Sequence, residues 1–358
     1  MKRRYNNRKP KNAGDSARKV ELEKEEIKKC SSVVKNKWLL RVGTAFLALF
    51  IVYLSVPFVL YCFPWIVGHL VYSHSFRIPF VDLSHPEDFS LNHTVNFYLT
   101  PEEGITVGVW QTVPDNQWQK AQGKDLEWYK ESLKDSTPVI VYLHGNMGTR
   151  ALSHRVELIK VLSAAGFNVL TMDYRGYGDS TGQPSEAGMT ADAVYLYRWV
   201  KAYSGSSSVC LWGHSLGSGV ATNAALKLQS DGFPVDCVIL EAPFTNIYEE
   251  AAARNMVYWM FPGFENFIRY TLALNNLSFP NDENLKTLRS HLLLLHAEDD
   301  NIVPFHMSQK LYHIAKDAKN KHVRMETYTQ SLGYSHNGIY RDPQLSRKIW
   351  QFLQLLQK

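Results

Sequence analysis

From residue 138 onward the chain alternates between two hydrophobic rhythms. PVIVYLHG, FNVLTMDYRG, SVCLWGHS, CVILEAPF and HLLLLHAED are near-continuous apolar runs, each closing on a polar or glycine-containing loop. Between them, SHRVELIKVLSAAG, ADAVYLYRWVKAYSG, GVATNAALKLQSDG and SQKLYHIAKDAKN repeat apolar positions at helical spacing. Apolar strands alternating with helices predict an α/β domain: a mostly parallel sheet buried by helices on both faces. Ligands in such sheets sit beyond the carboxyl ends of the strands, where these polar loops fall.

Two segments break the rhythm. Residues 64–137 carry short alternating pieces, HTVNFYL and ITVGVWQTV, which read as antiparallel strands leading into the core over residues 138–358. Residues 245–290 lie between two strand candidates and contain NMVYWMFPGFENFIRYTLAL, which predicts a cap over the strand ends. Its aromatic and Met side chains either pack within the cap or face an acyl chain or lipid.

A third apolar stretch, VGTAFLALFIVYLSVPFVLYCF at residues 42–63, holds no charged residue. A helix of that length rises about 33 Å, enough to cross a hydrocarbon core of about 30 Å. The polar leader of residues 1–41 is too long for an ordinary signal peptide, so a signal-anchor transmembrane helix is expected. The leader carries a net charge of +9 and the remainder a net of −4. The basic balance therefore belongs to a tail, expected to be disordered and cytosolic, and the body offers no case for nucleic-acid binding. Lys35, Lys37 and Arg41 just before the apolar run keep the N-terminus cytosolic and send the body to the lumenal side. Asn92-His93-Thr94 and Asn276-Leu277-Ser278 are glycosylation acceptors usable on that side. Four cysteines are too few for a disulfide scaffold, and Cys210 and Cys237, inside apolar strands, are expected to pack as small hydrophobes.

The candidate chemistry begins at Gly213-His214-Ser215-Leu216-Gly217. The pentapeptide alone is common, but here it joins a strand-like run to a helix-like run. That context makes a nucleophile elbow, with the serine oxygen exposed at a helix N-terminus. A serine hydroxyl needs a base, and the base an orienting acid; on such an elbow they follow in the order acid, then histidine. LLLLHAEDDNIVP supplies Glu298, Asp299 and Asp300 directly after a strand, and LGYSHNGIY supplies His336 before the last helix. Asp300, furthest into its loop, is the chosen acid, with Glu241 the outside alternative. His144, His214 and His296 sit at strand-to-loop junctions and are read as braces. Oxyanion donors are expected from the backbone of Leu216 and of Asn146, with Met147 second. Arg150, just after the Asn146 loop, is the candidate cation for a phosphate or carboxylate on a substrate, against simple solvation at the surface. No metal or cofactor is required by this chemistry.

These strings resemble the α/β-hydrolase superfamily of serine esterases, and within it the membrane-bound lysophosphatidylserine lipase subfamily, also described as monoacylglycerol lipases. The resemblance runs from about Val56 to the C-terminus through LNHTVNFYL, VGVWQTVP, YLHGNMGTR, DYRGYGDSTG, WGHSLGSGVATN, EAPFTNI, LLHAEDD and LGYSH. It implies an α/β-hydrolase fold in which Ser215, Asp300 and His336 form the triad. It also implies an endoplasmic-reticulum membrane enzyme with a lumenal site, a glycosylated loop, and lysophosphatidylserine, oxidised phosphatidylserine and monoacylglycerols as substrates. Lipid and the bilayer are then the expected partners, with no protein partner evident. Competing readings are a thioesterase or other carboxylesterase on the same triad, and a non-catalytic membrane scaffold.

Overall fold

The computed structural model describes residues 13–76, 81–253, 263–318 and 322–357. The chain divides into two units, Met1–Cys62 and Phe63–Lys358.

The described residues of the first unit form one helix, α1, Ala13–Cys62. Its C-terminal part is the uncharged run, long and apolar enough to cross a membrane, with the side chains of that window exposed. The helix begins far upstream of the apolar run: residues 13–41, expected to be disordered, are helical. KVELEKEEIKK explains this, because its Glu and Lys are strong helix formers and oppositely charged side chains recur three and four residues apart. Pro57 lies inside the helix, where a lipid environment tolerates it better than water does.

The second unit is built on an eight-stranded sheet. Its strands are β1 (Thr94–Glu102), β2 (Ile105–Thr112), β3 (Val139–Leu143), β4 (Asn168–Met172), β5 (Val209–His214), β6 (Cys237–Glu241), β7 (His291–Ala297) and β8 (Val323–Tyr328). They lie in the order β1-β2-β4-β3-β5-β6-β7-β8. β1 and β2 form an antiparallel hairpin joined antiparallel to β4, and every pairing from β4 to β8 is parallel. The helices are α2 (Trp65–Tyr72), α3 (Trp118–Ala121), α4 (Leu126–Ser132), α5 (Ser153–Ala164), α6 (Glu186–Tyr203), α7 (Leu216–Ser230), α8 (Ile247–Ala253), α9 (Phe264–Leu274), α10 (Asn281–Asn284), α11 (Phe305–Asp317) and α12 (Leu345–Leu353).

Alternation along the strands decides which helix covers which face. Ile140, Tyr142, Cys210, Trp212, Cys237, Ile239, Leu293 and Leu295 point to one side and pack against α5 and α12. α12 can do this because Leu345, Ile349, Phe352 and Leu353 recur at helical spacing and are all buried. The alternate strand positions face the other way, toward α6, α7 and α11, which pack on the same strands. The carboxyl ends of β3, β5 and β7 are thereby held rigid, and the loops that leave them carry the chemistry described next. Helices α8, α9 and α10 fill the interval between β6 and β7 where a cap is expected. Residues 254–262, with most of the aromatic and Met run, lie outside the described residues.

One expectation fails in the core. Cys210 and Cys237 do not pack as separate thiols but form a disulfide. The register explains it: β5 and β6 are parallel neighbours with Cys210 directly opposite Cys237, so both side chains leave the same face side by side. A cross-link closing a separation of 27 residues removes unfolded-state entropy worth about 3.5 kcal/mol. Cys210→Ala with Cys237→Ala is therefore expected to lower the unfolding free energy by about 3 kcal/mol. Denaturant titration of the detergent-solubilised protein checks this, and unchanged stability would show that the bond is not formed.

Candidate active site

Ser215 occupies the turn between β5 and α7 with φ 52 and ψ −120, a strained conformation for a residue with a side chain. Two glycines make the turn sterically feasible. A Cβ on Gly213 would strike the Gly217 carbonyl, and one on Gly217 would strike the Leu143 carbonyl at the end of β3. The Ser215 N–H donates to the Glu241 carbonyl at 2.9 Å, which ties the elbow to the end of β6. Leu216 opens α7, so its N–H has no acceptor within the helix and points beyond the helix N-terminus.

The loop after β3 lies against this elbow: a Cβ built on Gly145 would stand 3.1 Å from the Ser215 Cβ. Its conformation is fixed from behind by Arg155 of α5, which is buried. The Arg155 guanidinium donates to the carbonyls of Thr149 at 2.8 Å, Gly145 at 3.2 Å, Asn146 at 3.3 Å and Met147 at 2.8 Å. Among the described residues no carboxylate pairs with Arg155, and burial pulls its pKa below the ordinary arginine value. The Met147 N–H already donates to the Tyr72 carbonyl at 3.2 Å, so Met147 is not a free oxyanion donor. Asn146 and Leu216 remain from the expected set.

Arg150 corrects a second expectation. It neither solvates at the surface nor faces a headgroup, but is buried. Its guanidinium donates to Asp173 at 2.5 Å, to Asp179 at 2.6 and 3.0 Å and to Asn96 at 2.9 Å, and lies over the Trp110 ring. Burial opposes its charge, but the two aspartates outweigh that and raise its pKa. It joins the loop after β3 to the DYRGYGDS loop and to β1.

On the other side of the elbow, His336 and Asp300 meet. The His336 Nδ1–H donates to Asp300 Oδ2 at 2.7 Å. Asp300 is fixed in turn: its Oδ1 accepts the N–H groups of Ile302 and Val303 at 2.8 and 2.9 Å. His296 Nε2 lies 3.2 Å from Oδ2. Burial works against ionisation, yet the bonds to His296 and His336 and their charges outweigh it and hold Asp300 well below the usual carboxylate range. The neighbouring acids have other duties. Asp299 accepts the Ser335 N–H with both oxygens at 3.0 Å, which sets the loop that presents His336. Glu298 is exposed.

His214, beside Ser215, donates Nε2–H to the His336 carbonyl at 3.0 Å. Burial, then the charges of His336 and His154, keep its pKa well below the ordinary histidine value, so it stays neutral as it braces. The His336–Asp300 pair is thus tied, through His214, to the strand end that carries Ser215, and the loop after β3 lies against the same elbow. The positioning role of Asp299, which the sequence offered only as a candidate acid, and that of Arg155 had no sequence signal, since each shows only in the folded contacts.

A family model described as the alpha/beta hydrolase fold matches residues 138–294. A lysophosphatidylserine lipase ABHD12 of Xenopus tropicalis is 50% identical over 307 residues, covering 84% of this chain and 80% of the relative. The chain belongs to the ABHD12 family of α/β hydrolases. The Rattus norvegicus lysophosphatidylserine lipase ABHD12 is 48% identical over 307 residues, 84% of this chain and 77% of the relative. Human Protein ABHD12B is 48% identical over 291 residues, 80% of each chain. Among solved structures, the Pyrococcus furiosus esterase Pf2001 aligns with a TM-score of 0.57 at 20% identity, covering 79% of this chain and 98% of that one. An alpha-beta hydrolase from Vibrio vulnificus aligns with a TM-score of 0.59 at 19% identity, covering 80% and 92%. At these identities the solved structures establish the fold alone.

Within this ABHD12-family site, Glu241 is not the orienting acid, because its carboxylate accepts Trp212 Nε1–H at 2.9 Å and makes no bond to His336. Burial pushes its carboxyl up to about 7, with the Trp212 bond opposing and the Asp300 charge adding. An unfolded glutamate titrates near ~4.3. Between those values the folded chain binds the extra proton, so this group's stabilisation is present below ~4.3 and is lost as pH rises to about 7. Glu241→Gln should match the wild type near pH 4.5 and exceed it by about 3 kcal/mol at pH 8. Urea unfolding at the two pH values checks this. Arg155→Lys, which keeps the charge but loses the planar fork, is expected to lower kcat about tenfold with little change in KM. Steady-state kinetics on a soluble ester reads that split.

Proposed function

We propose that this chain is a membrane-anchored serine lipase that hydrolyses the acyl ester of lysophosphatidylserine and of monoacylglycerols. The observation that carries the chemistry is the buried His336–Asp300 hydrogen bond beside the strained Ser215 elbow. The names of the relatives support lysophosphatidylserine, and the monoacylglycerol is what the sequence resemblance implies.

His336 Nε2 takes the Ser215 proton as Oγ attacks the ester carbonyl, and Asp300 stabilises the imidazolium that forms. The negative oxygen of the tetrahedral intermediate is held by the N–H groups of Leu216 and Asn146. The C–O bond then breaks, the alkoxide leaves with the proton from His336, and the acyl group stays on Ser215. Water, deprotonated by His336, attacks the acyl-serine and releases the fatty acid. A neutral His214 is useful here, because a second cation beside His336 would oppose imidazolium formation.

The site belongs on the lumenal face of the endoplasmic-reticulum membrane, with α1 spanning it. The basic leader favours a cytosolic N-terminus. Asn92 and Asn276 are exposed and accessible to glycosylation. The Cys210–Cys237 disulfide adds support from a different direction, since such bonds form in oxidising compartments.

Membranes expressing wild-type protein are expected to release fatty acid from both lysophosphatidylserine and a monoacylglycerol, and Ser215→Ala to lower both by at least about a thousandfold. Loss of neither activity in the variant would remove Ser215 from the mechanism. Wild-type membranes silent toward both lipids would remove the substrate assignment.

A further inference from the structure

The short helix α2 follows α1 after only Phe63 and Pro64. Two residues reach at most about 7 Å, so with the bilayer core filled by the apolar run that ends at Phe63, α2 starts within the headgroup zone. Residues 63–76 contain no Asp, Glu, Lys or Arg. The helix is two-sided. Val67, Gly68 and Tyr72 are buried toward the body, while Phe63, Trp65 and Leu70 are 49, 56 and 64% exposed, and Phe76 beyond the helix is 65% exposed. Large apolar side chains crowded without charge onto one short segment are costly in water and suit a membrane interface, where Trp is favoured.

The buried side of the same segment holds the oxyanion loop. Carbonyls of the last turn of α2, which have no acceptor role within the helix, point into the body. Tyr72 O accepts the Met147 N–H at 3.2 Å and the Tyr177 hydroxyl at 2.7 Å; Val71 O accepts Asn146 Nδ2 at 3.3 Å. Phe76 O accepts the Gly148 N–H at 3.1 Å, and Pro64 O accepts Asn275 Nδ2 at 2.8 Å from the end of α9. The loop that supplies an oxyanion amide is thus strapped on one side to Arg155 and on the other to this apolar segment.

We propose that α2 and Phe76 form a membrane-interface element that seats the oxyanion loop at the surface of the bilayer α1 crosses. The occupant of the exposed face is the boundary between headgroups and acyl chains, the depth at which the ester of a leaflet-dissolved lysolipid lies. The inference rests on the lipase reading for its catalytic consequence, but the position of α2 can be tested without activity.

The test uses the full chain in phosphatidylcholine–phosphatidylserine vesicles, with Cys30→Ser and Cys62→Ser to remove the free thiols. A fluorophore is attached at Leu70→Cys, Phe76→Cys or, as an exposed control on the body, Phe233→Cys, and nitroxide-bearing lipids are titrated in. At least threefold stronger quenching at positions 70 and 76 than at 233 is the expected result. Equal or absent quenching overturns the proposal and leaves the face for a protein partner. In parallel, Trp65→Glu with Leu70→Glu is expected to lower hydrolysis of bilayer-dispersed lysophosphatidylserine at least tenfold and of a short-chain water-soluble ester less than twofold. Equal loss on both substrates, or loss on neither, also overturns it. A wild-type protein inactive on the lipid would sink the substrate assignment, while the quenching result would still decide the position of α2.

Discussion

At the carboxyl end of the central strands, three stretches of backbone approach more closely than any side chain permits. Gly213 lies against Gly217, and Gly217 against the end of β3 at Leu143. That contact forces Ser215 to positive φ, sets the start of α7, and holds the loop after β3 against the serine. The sheet order follows from the same need, since β3 and β5 must be neighbours for the contact to exist. Backbone strain of this kind costs about 1–3 kcal/mol and persists only where the surroundings over-determine it. Here the surroundings are a sheet buried on both faces.

Around this fixed point the charges are arranged so that few are left uncompensated. Arg150 spends its donors on two aspartates and an asparagine, and so acts as a rivet between loops. Arg155 spends its donors on backbone carbonyls, which fixes dipoles without cancelling its charge. Asp300 is surrounded by donors and stays ionised, whereas Glu241, buried near it with one donor, is driven toward its neutral form. Two carboxylates a short way apart at the ends of adjacent strands thus differ in protonation because of what surrounds each.

Much of this was legible in the amino-acid sequence, for physical reasons. Continuous apolar strands can only be doubly covered, so the α/β layering followed from PVIVYLHG and its counterparts, and the strand–turn–helix context singled out Ser215. Chain order then put the acid after Ser215, with the loop after β7 preferred over Glu241, and the base in the last loop, where Asp300 and His336 do meet. What stayed hidden depends on contacts between distant segments. No local pattern puts Cys210 opposite Cys237, because register is a property of two strands together. Nothing in YLHGNMGTR announces that Met147 gives its N–H to Tyr72 or that Arg150 is sealed by Asp173 and Asp179. The helical leader was missed for a different reason: its net charge suggested disorder, while its Glu–Lys spacing favours a helix.

The disulfide between β5 and β6 has a consequence for the history of each molecule. Both sulfur-bearing residues are fully enclosed beneath α5 and α12, out of reach of any dissolved thiol once those helices are seated. Their oxidation state is therefore written once, while the chain is still open, and is not rewritten by the surroundings in which the finished protein later resides. A molecule with the bond intact carries a memory of an oxidising birthplace, and one with two thiols records a reducing one, wherever either is recovered.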